Sequence, residues 1–135
     1  MKFGTTVTVD TPEEAVWEVA IGTPTVNVTD QVAEAAWENP VPEPGYVYAA
    51  VPVSMKFLGG KTGDPAELKF TFRASDGTVS SRAFVVFDGQ LADVVEVPEG
   101  TSTMGTVILQ VPADKPGVWG VEHAVLGGPV YFAAG

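Results

Sequence analysis

The chain has 135 residues, 45% of them hydrophobic, with no cysteine, one histidine and a formal net charge of −10 at pH 7. This composition excludes a disulfide framework, a thiolate metal site and a cysteine nucleophile, and it disfavours nucleic-acid binding, which depends on clustered lysine and arginine. One domain of this length buries roughly 68% of its unfolded surface, so residues 1–135 are read as a single domain, and no apolar run approaches a bilayer span of about 20 residues.

Fifteen glycines and eleven prolines predict many short elements joined by tight turns. Residues 15–21 alternate, with Trp17, Val19 and Ile21 on one face, and Gly22-Thr23-Pro24 ends the run. Residues 30–37 are rich in helix formers, and Asp30 is placed to cap one or two turns. Prolines at 40, 42 and 44 then exclude helix and ladder alike, so 39–45 is expected to be an extended loop.

The strongest strand spans 46–57. Val47, Ala49, Val51, Val53, Met55 and Phe57 share one face, while Tyr46, Tyr48, Ala50, Pro52, Ser54 and Lys56 share the other. Pro52 has no N–H for a ladder, which predicts a bulge or an unpaired edge beside it. Leu68, Phe70, Phe72 and Ala74 alternate with Lys69, Thr71 and Arg73 up to Ser75-Asp76-Gly77-Thr78, a hairpin signal whose returning strand is expected over 79–87. Further strands are expected at 92–97, 105–111, 117–122 and 129–133. Strands without alternating helices predict an all-β, antiparallel sandwich carrying one short helix near 30–37.

The run Pro44-Gly45-Tyr46-Val47-Tyr48-Ala49-Ala50-Val51-Pro52-Val53, followed by an aromatic and a Gly-Lys-Thr-Gly-Asp turn, resembles the central strand of a bacterial domain family. That family is the immunoprotective-extracellular, immunoglobulin-like β-sandwich group of exported Gram-positive, especially actinobacterial, lipoproteins. Pro98 to Ser102 before Gly105 to Pro112, then Gly117-Val118-Trp119 and Val130 to Ala134, are similar to its later segments. The resemblance covers nearly the whole chain. It implies an immunoglobulin-like domain at the cell surface or secreted, tethered through a lipidated cysteine in a precursor, and it carries over no catalytic residue.

Chemistry-bearing motifs are sparse. His123 follows Glu122 at a predicted strand end, a position more typical of a surface side chain than of a pH sensor. Glu13 and Glu14 are adjacent in a turn and would diverge, which weakens the alternative of a carboxylate-based carbohydrate-active or cell-wall enzyme. Asp64 and Asp76 lack the alternating neighbours of a calcium loop, and 59–63 lacks phosphate-loop spacing, so neither metal nor cofactor is expected.

Residues 1–55 hold Lys2 against eight acids, whereas 56–82 hold five bases against three acids. Lys56, Lys69 and Arg73 are therefore candidates for an anion-attracting patch. Trp17 and Trp119 fit the core. Trp37 enters the proline-rich loop, where it either closes the end of the sandwich or stands outside as a platform. With Glu38, Glu43 and Tyr46 it forms the candidate contact surface, suited to a sugar or a basic peptide. The sequence thus points to a non-catalytic extracellular binding module for an unidentified envelope ligand.

Overall fold

The computed structural model describes residues 2–10, 16–59, 68–91, 97–123 and 130–132. The first sheet is built on β4 (Tyr46–Gly59), which β7 (Ser102–Pro112) follows antiparallel along one edge. The other edge of β4 carries β2 (Val16–Ile21) and then β3 (Thr25–Val26), with β1 (Thr6–Asp10) outside β2. The second sheet runs β6-β5-β8-β9, all antiparallel, from β5 (Leu68–Ala74), β6 (Val79–Ser81), β8 (Gly117–His123) and β9 (Val130–Phe132). The protein is an antiparallel β-sandwich.

Pro52 decides how the edge of β4 is paired. The Gly22 amide donates to the Pro52 carbonyl at 2.9 Å, and proline has no N–H with which to answer. The partner strand breaks there. β2 ends with Ile21 opposite Val53, and β3 resumes with Thr25 opposite Ala50, so the partner side carries one extra residue. This break in the partner strand falls where the sequence predicts a bulge or an unpaired edge.

The inner faces interdigitate into one core. Trp17, Val19 and Ile21 from β2 and Val51, Val53 and Met55 from β4 meet Phe70 and Phe72 from β5 and Trp119 and Val121 from β8. Trp17 packs tilted on Phe57 with centroids 4.9 Å apart, and Phe72 on Trp119 at 4.7 Å. The predicted inward faces of 46–57 and 68–74 are therefore the core faces. Gly117 is required where β8 starts, because a Cβ there would collide with the Arg73 carbonyl and lie 2.6 Å from the Phe72 ring.

Three expectations need correction. The helix α1 is Thr29–Ala35, its cap is Val28, and Asp30 lies in the first turn with no side-chain capping bond. It ends early because Ala36 turns to an extended conformation. The return strand leaves its sheet after Ser81 instead of running to Phe87. Arg82 bridges to Leu109 of the opposite sheet, and Ala83 donates to the Ile108 carbonyl at 2.7 Å. The remaining strands over 105–111, 117–122 and 129–133 are β7, β8 and β9, while 92–96 lie outside the described residues.

The cause of that departure is a second apolar cluster on the outer face of the first sheet. Tyr48 and Ile108 point outward there and are buried beneath Val28, Val32, Val85 and Phe87. Segment 82–90 crosses from the second sheet to form part of this cover.

At the hairpin, Asp76 accepts from the Thr78 amide and pairs with Lys115 at 2.5 Å, joining the β5–β6 turn to the β7–β8 turn. The bond from Lys115, then that from Thr78, hold the Asp76 carboxyl well below the ordinary carboxylate range. A depressed carboxyl contributes stability above its unfolded pKa of about 4 and loses it as pH falls through the folded value. The pair is exposed, so its contribution is small and screened by salt. Asp76→Asn is expected to leave the neutral-pH melting temperature almost unchanged while reducing its salt dependence. Phe70→Ala, by contrast, should cost about 3–5 kcal/mol in urea unfolding, and a loss under about 1 kcal/mol would contradict the core packing.

Candidate functional site

The loop from α1 to β4 is fastened at both ends by side chains. Asn39 is its first anchor: the Asn39 amide donates at 2.8 Å to the carbonyls of Val32 and Val86, and its oxygen accepts from the Val86 N–H at 2.7 Å. One side chain thus satisfies both backbone groups of Val86 as a neighbouring strand would, while also tying the end of the helix. Further on, the Tyr48 hydroxyl donates to the Pro40 carbonyl at 2.9 Å, and the Glu43 N–H donates to Gln110 Oε1 at 2.6 Å. Burial pushes the Tyr48 phenol above its ordinary pKa, so it remains a neutral donor. From the other segment, Gln90 donates to the Val85 carbonyl at 2.8 Å.

On this fixed frame several large apolar side chains stand outward. Trp37 is 93% exposed, Val41 84%, Phe84 83% and Val86 52%. Ala83, Val85 and Phe87 point into the cover, so Phe84 and Val86 alternate outward. The Asn39 bonds to Val86 bring the two outward-facing stretches alongside each other. Arg82 lies over the Phe84 ring, 5.1 Å from its centroid.

Trp37 does not close the end of the sandwich. Glu38 is exposed beside it, and Glu43 is exposed at the far end of the loop. Tyr46 is half-buried at the start of β4, opposite Pro112. Trp37 and Glu38 therefore stand at the Asn39 anchor, and Glu43 and Tyr46 at the Gln110 end of the same loop. The proposed basic patch is not brought together. Lys56 is exposed on the outer face of the first sheet, opposite Glu18. Lys69 and Arg73 are exposed on the outer face of the second, where Arg73 lies 5.6 Å from the Tyr131 ring centroid. Lys56 thus faces away from the other two.

Among the described residues no group of three or more His, Asp or Glu side chains is placed to hold a metal ion, and no helix is long and apolar enough to cross a membrane. His123 ends β8 opposite Leu68, but its side chain lies outside those described. Glu13, Glu14 and Asp64 also lie outside the described residues. Sequence reasoning placed Asn39 at the start of the extended loop 39–45 without its anchoring role, and it missed Phe84 and Val86. The signal for the last two was the apolar run 84–87, which was assigned to a continuing strand.

No protein-family model and no curated protein matches the chain. Its fold is similar to that of MPT63, a secreted protein from Mycobacterium tuberculosis, with TM-score 0.67 and 16% identity over 94% of this chain and 91% of that one. An uncharacterised β-sandwich protein from Clostridium difficile is similar at TM-score 0.58 and 14% identity, over 96% and 89% of the two chains. A candidate lipoprotein from Staphylococcus aureus is similar at 0.54 and 11%, over 96% and 94%. At these identities the likeness is one of fold.

The Asn39 clamp makes a direct prediction. Asn39→Ala leaves the Val86 groups without their partner and should cost about 1–2 kcal/mol in urea unfolding. Asn39→Asp keeps an acceptor for the Val86 N–H but turns anionic oxygen toward two carbonyls, so it should not restore the loss. Faster hydrogen exchange at the Val86 amide is expected in Asn39→Ala, and an unchanged exchange rate there would contradict the clamp.

Proposed function

We propose that this sandwich is a non-catalytic, immunoglobulin-like binding module working outside the cytoplasm, and that its contact surface is the ridge around Trp37. One observation carries the reading: an indole almost wholly exposed on a backbone held rigid by Asn39, Tyr48 and Gln110. Exposed large aromatics on ordered frames are contact anchors, because little entropy remains to be lost when a partner covers them. The extracytoplasmic placement is supported by the fold likeness to a secreted mycobacterial protein and to a candidate staphylococcal lipoprotein. The four nominated residues keep a graded role. Trp37 and Glu38 form the centre of the surface, and Glu43 and Tyr46 extend it along the loop.

Trp37→Ala tests the reading. Retention on the insoluble envelope fraction of a Gram-positive bacterium should fall at least about tenfold, as for an anchor residue. The melting temperature should stay within about a degree, because the side chain is solvated in the folded state. A drop of several degrees with unchanged retention would assign Trp37 to packing instead.

A further inference from the structure

We infer that the partner for this surface is a cationic amphipathic peptide segment, one that alternates Lys or Arg with apolar side chains; the inference rests on the contact surface proposed above. The apolar half of the argument is the exposed set Trp37, Val41, Phe84 and Val86, drawn together by the Asn39 bonds to Val86. The charged half comes from the same two segments. Glu34, Glu38 and Glu43 on one side and Asp88 on the other are all exposed, and Asp76 with Lys115 is the ion pair among the described residues, so none of these four is neutralised by a partner of its own. Arg82 is the single base in these segments, and its guanidinium is engaged with the Phe84 ring.

An apolar ridge with unpaired carboxylates beside it is complementary to a chain that presents cations and apolar groups together. A neutral glycan would use the indole but leave the carboxylates unanswered. A second copy of this protein would set acid against acid, with −10 on each molecule at neutral pH. A basic peptide meets both features, and the acidic body steers it in before contact.

The experiment uses a labelled decapeptide of alternating Lys and Leu, with a Lys/Ser peptide of equal charge and a Glu/Leu peptide of equal apolarity, read by fluorescence anisotropy at two salt concentrations. The Lys/Leu peptide should bind most tightly, and more weakly at higher salt. Trp37→Ala with Phe84→Ser should weaken it at least about tenfold, with the melting temperature kept. Glu38→Gln with Glu43→Gln should weaken it about threefold and reduce the salt dependence. Glu18→Gln with Glu99→Gln removes the same charge from residues that neighbour the Gly59 end of β4, Glu18 opposite Lys56 and Glu99 beside Gly59, and should leave binding unchanged.

Equal binding of the Lys/Ser peptide, or equal loss in the Glu18 and Glu99 variant, would overturn the inference in favour of diffuse charge attraction. Tighter binding of the Glu/Leu peptide would overturn it as well. Envelope retention that depends on Trp37 without any Lys/Leu binding would overturn the peptide assignment while leaving the contact surface standing. Loss of both would overturn the two together.

Discussion

The structure depends on β4 being apolar on both faces over its first half. Ala49 and Val51 point into the core between the sheets, while Tyr48 points out and is still buried. Beside it Ile108 of β7 does the same, so the first sheet presents a hydrophobic patch to what would otherwise be solvent. A sandwich with one solvated outer face alternates apolar and polar residues cleanly. This one does not, and its outer face must be covered. The cover is α1 from one direction and segment 82–90 from the other, and both departures from a simple sandwich follow from that need.

Covering the patch also fixes the candidate surface. Val28 donates to the Tyr48 carbonyl at 2.7 Å and the Tyr48 amide donates to the Thr29 hydroxyl at 3.2 Å, so the helix start is seated directly on β4. Segment 82–90 is bound to β7 at Ile108 and again at Thr106, whose N–H donates to the Gly89 carbonyl at 2.9 Å. Between those points side chains supply the pairing, Gln90 at the Val85 carbonyl and Asn39 at both backbone groups of Val86. Gly105 lets the segment turn inward afterwards, since a Cβ there would lie 2.7 Å from the Leu91 Cα. The same segment shields part of the outer edge of β7, an edge that would otherwise be open to pairing with another chain.

Much of this was legible in the sequence where a residue acts on its neighbours. Period-two alternation placed Val51, Met55 and Phe70 inside, and the missing N–H of Pro52 located the break in its partner strand. Asp76-Gly77 located the hairpin, with Gly77 at φ +91°. What was not legible depends on residues far apart in the chain. Tyr48 looks like an outward residue of a half-solvated strand, and only its packing against Val28, Val32 and Ile108 makes it core. Segment 82–87 alternates as a strand does, and the alternation is real, but the sheet it covers is not the one it leaves. Asn39 reads as a loop polar residue among prolines; its partner is 47 residues away. The basic patch failed for a related reason, because sequence shows which face of a strand a lysine occupies and not which way that face turns in the sandwich.

Fold and contact surface are thermodynamically separate in this molecule. Trp17 and Trp119 are removed from water, so each contributes to folding through burial and through its ring contact. Trp37 is solvated when folded and when unfolded, and its apolar surface therefore adds almost nothing to stability. That surface is still available to a partner, and the residues that hold its backbone are themselves anchored by the covered outer face. The stability of the second cluster thus sets how well ordered the ridge is, and a partner that covers Trp37 gains from ordering that folding has already accomplished.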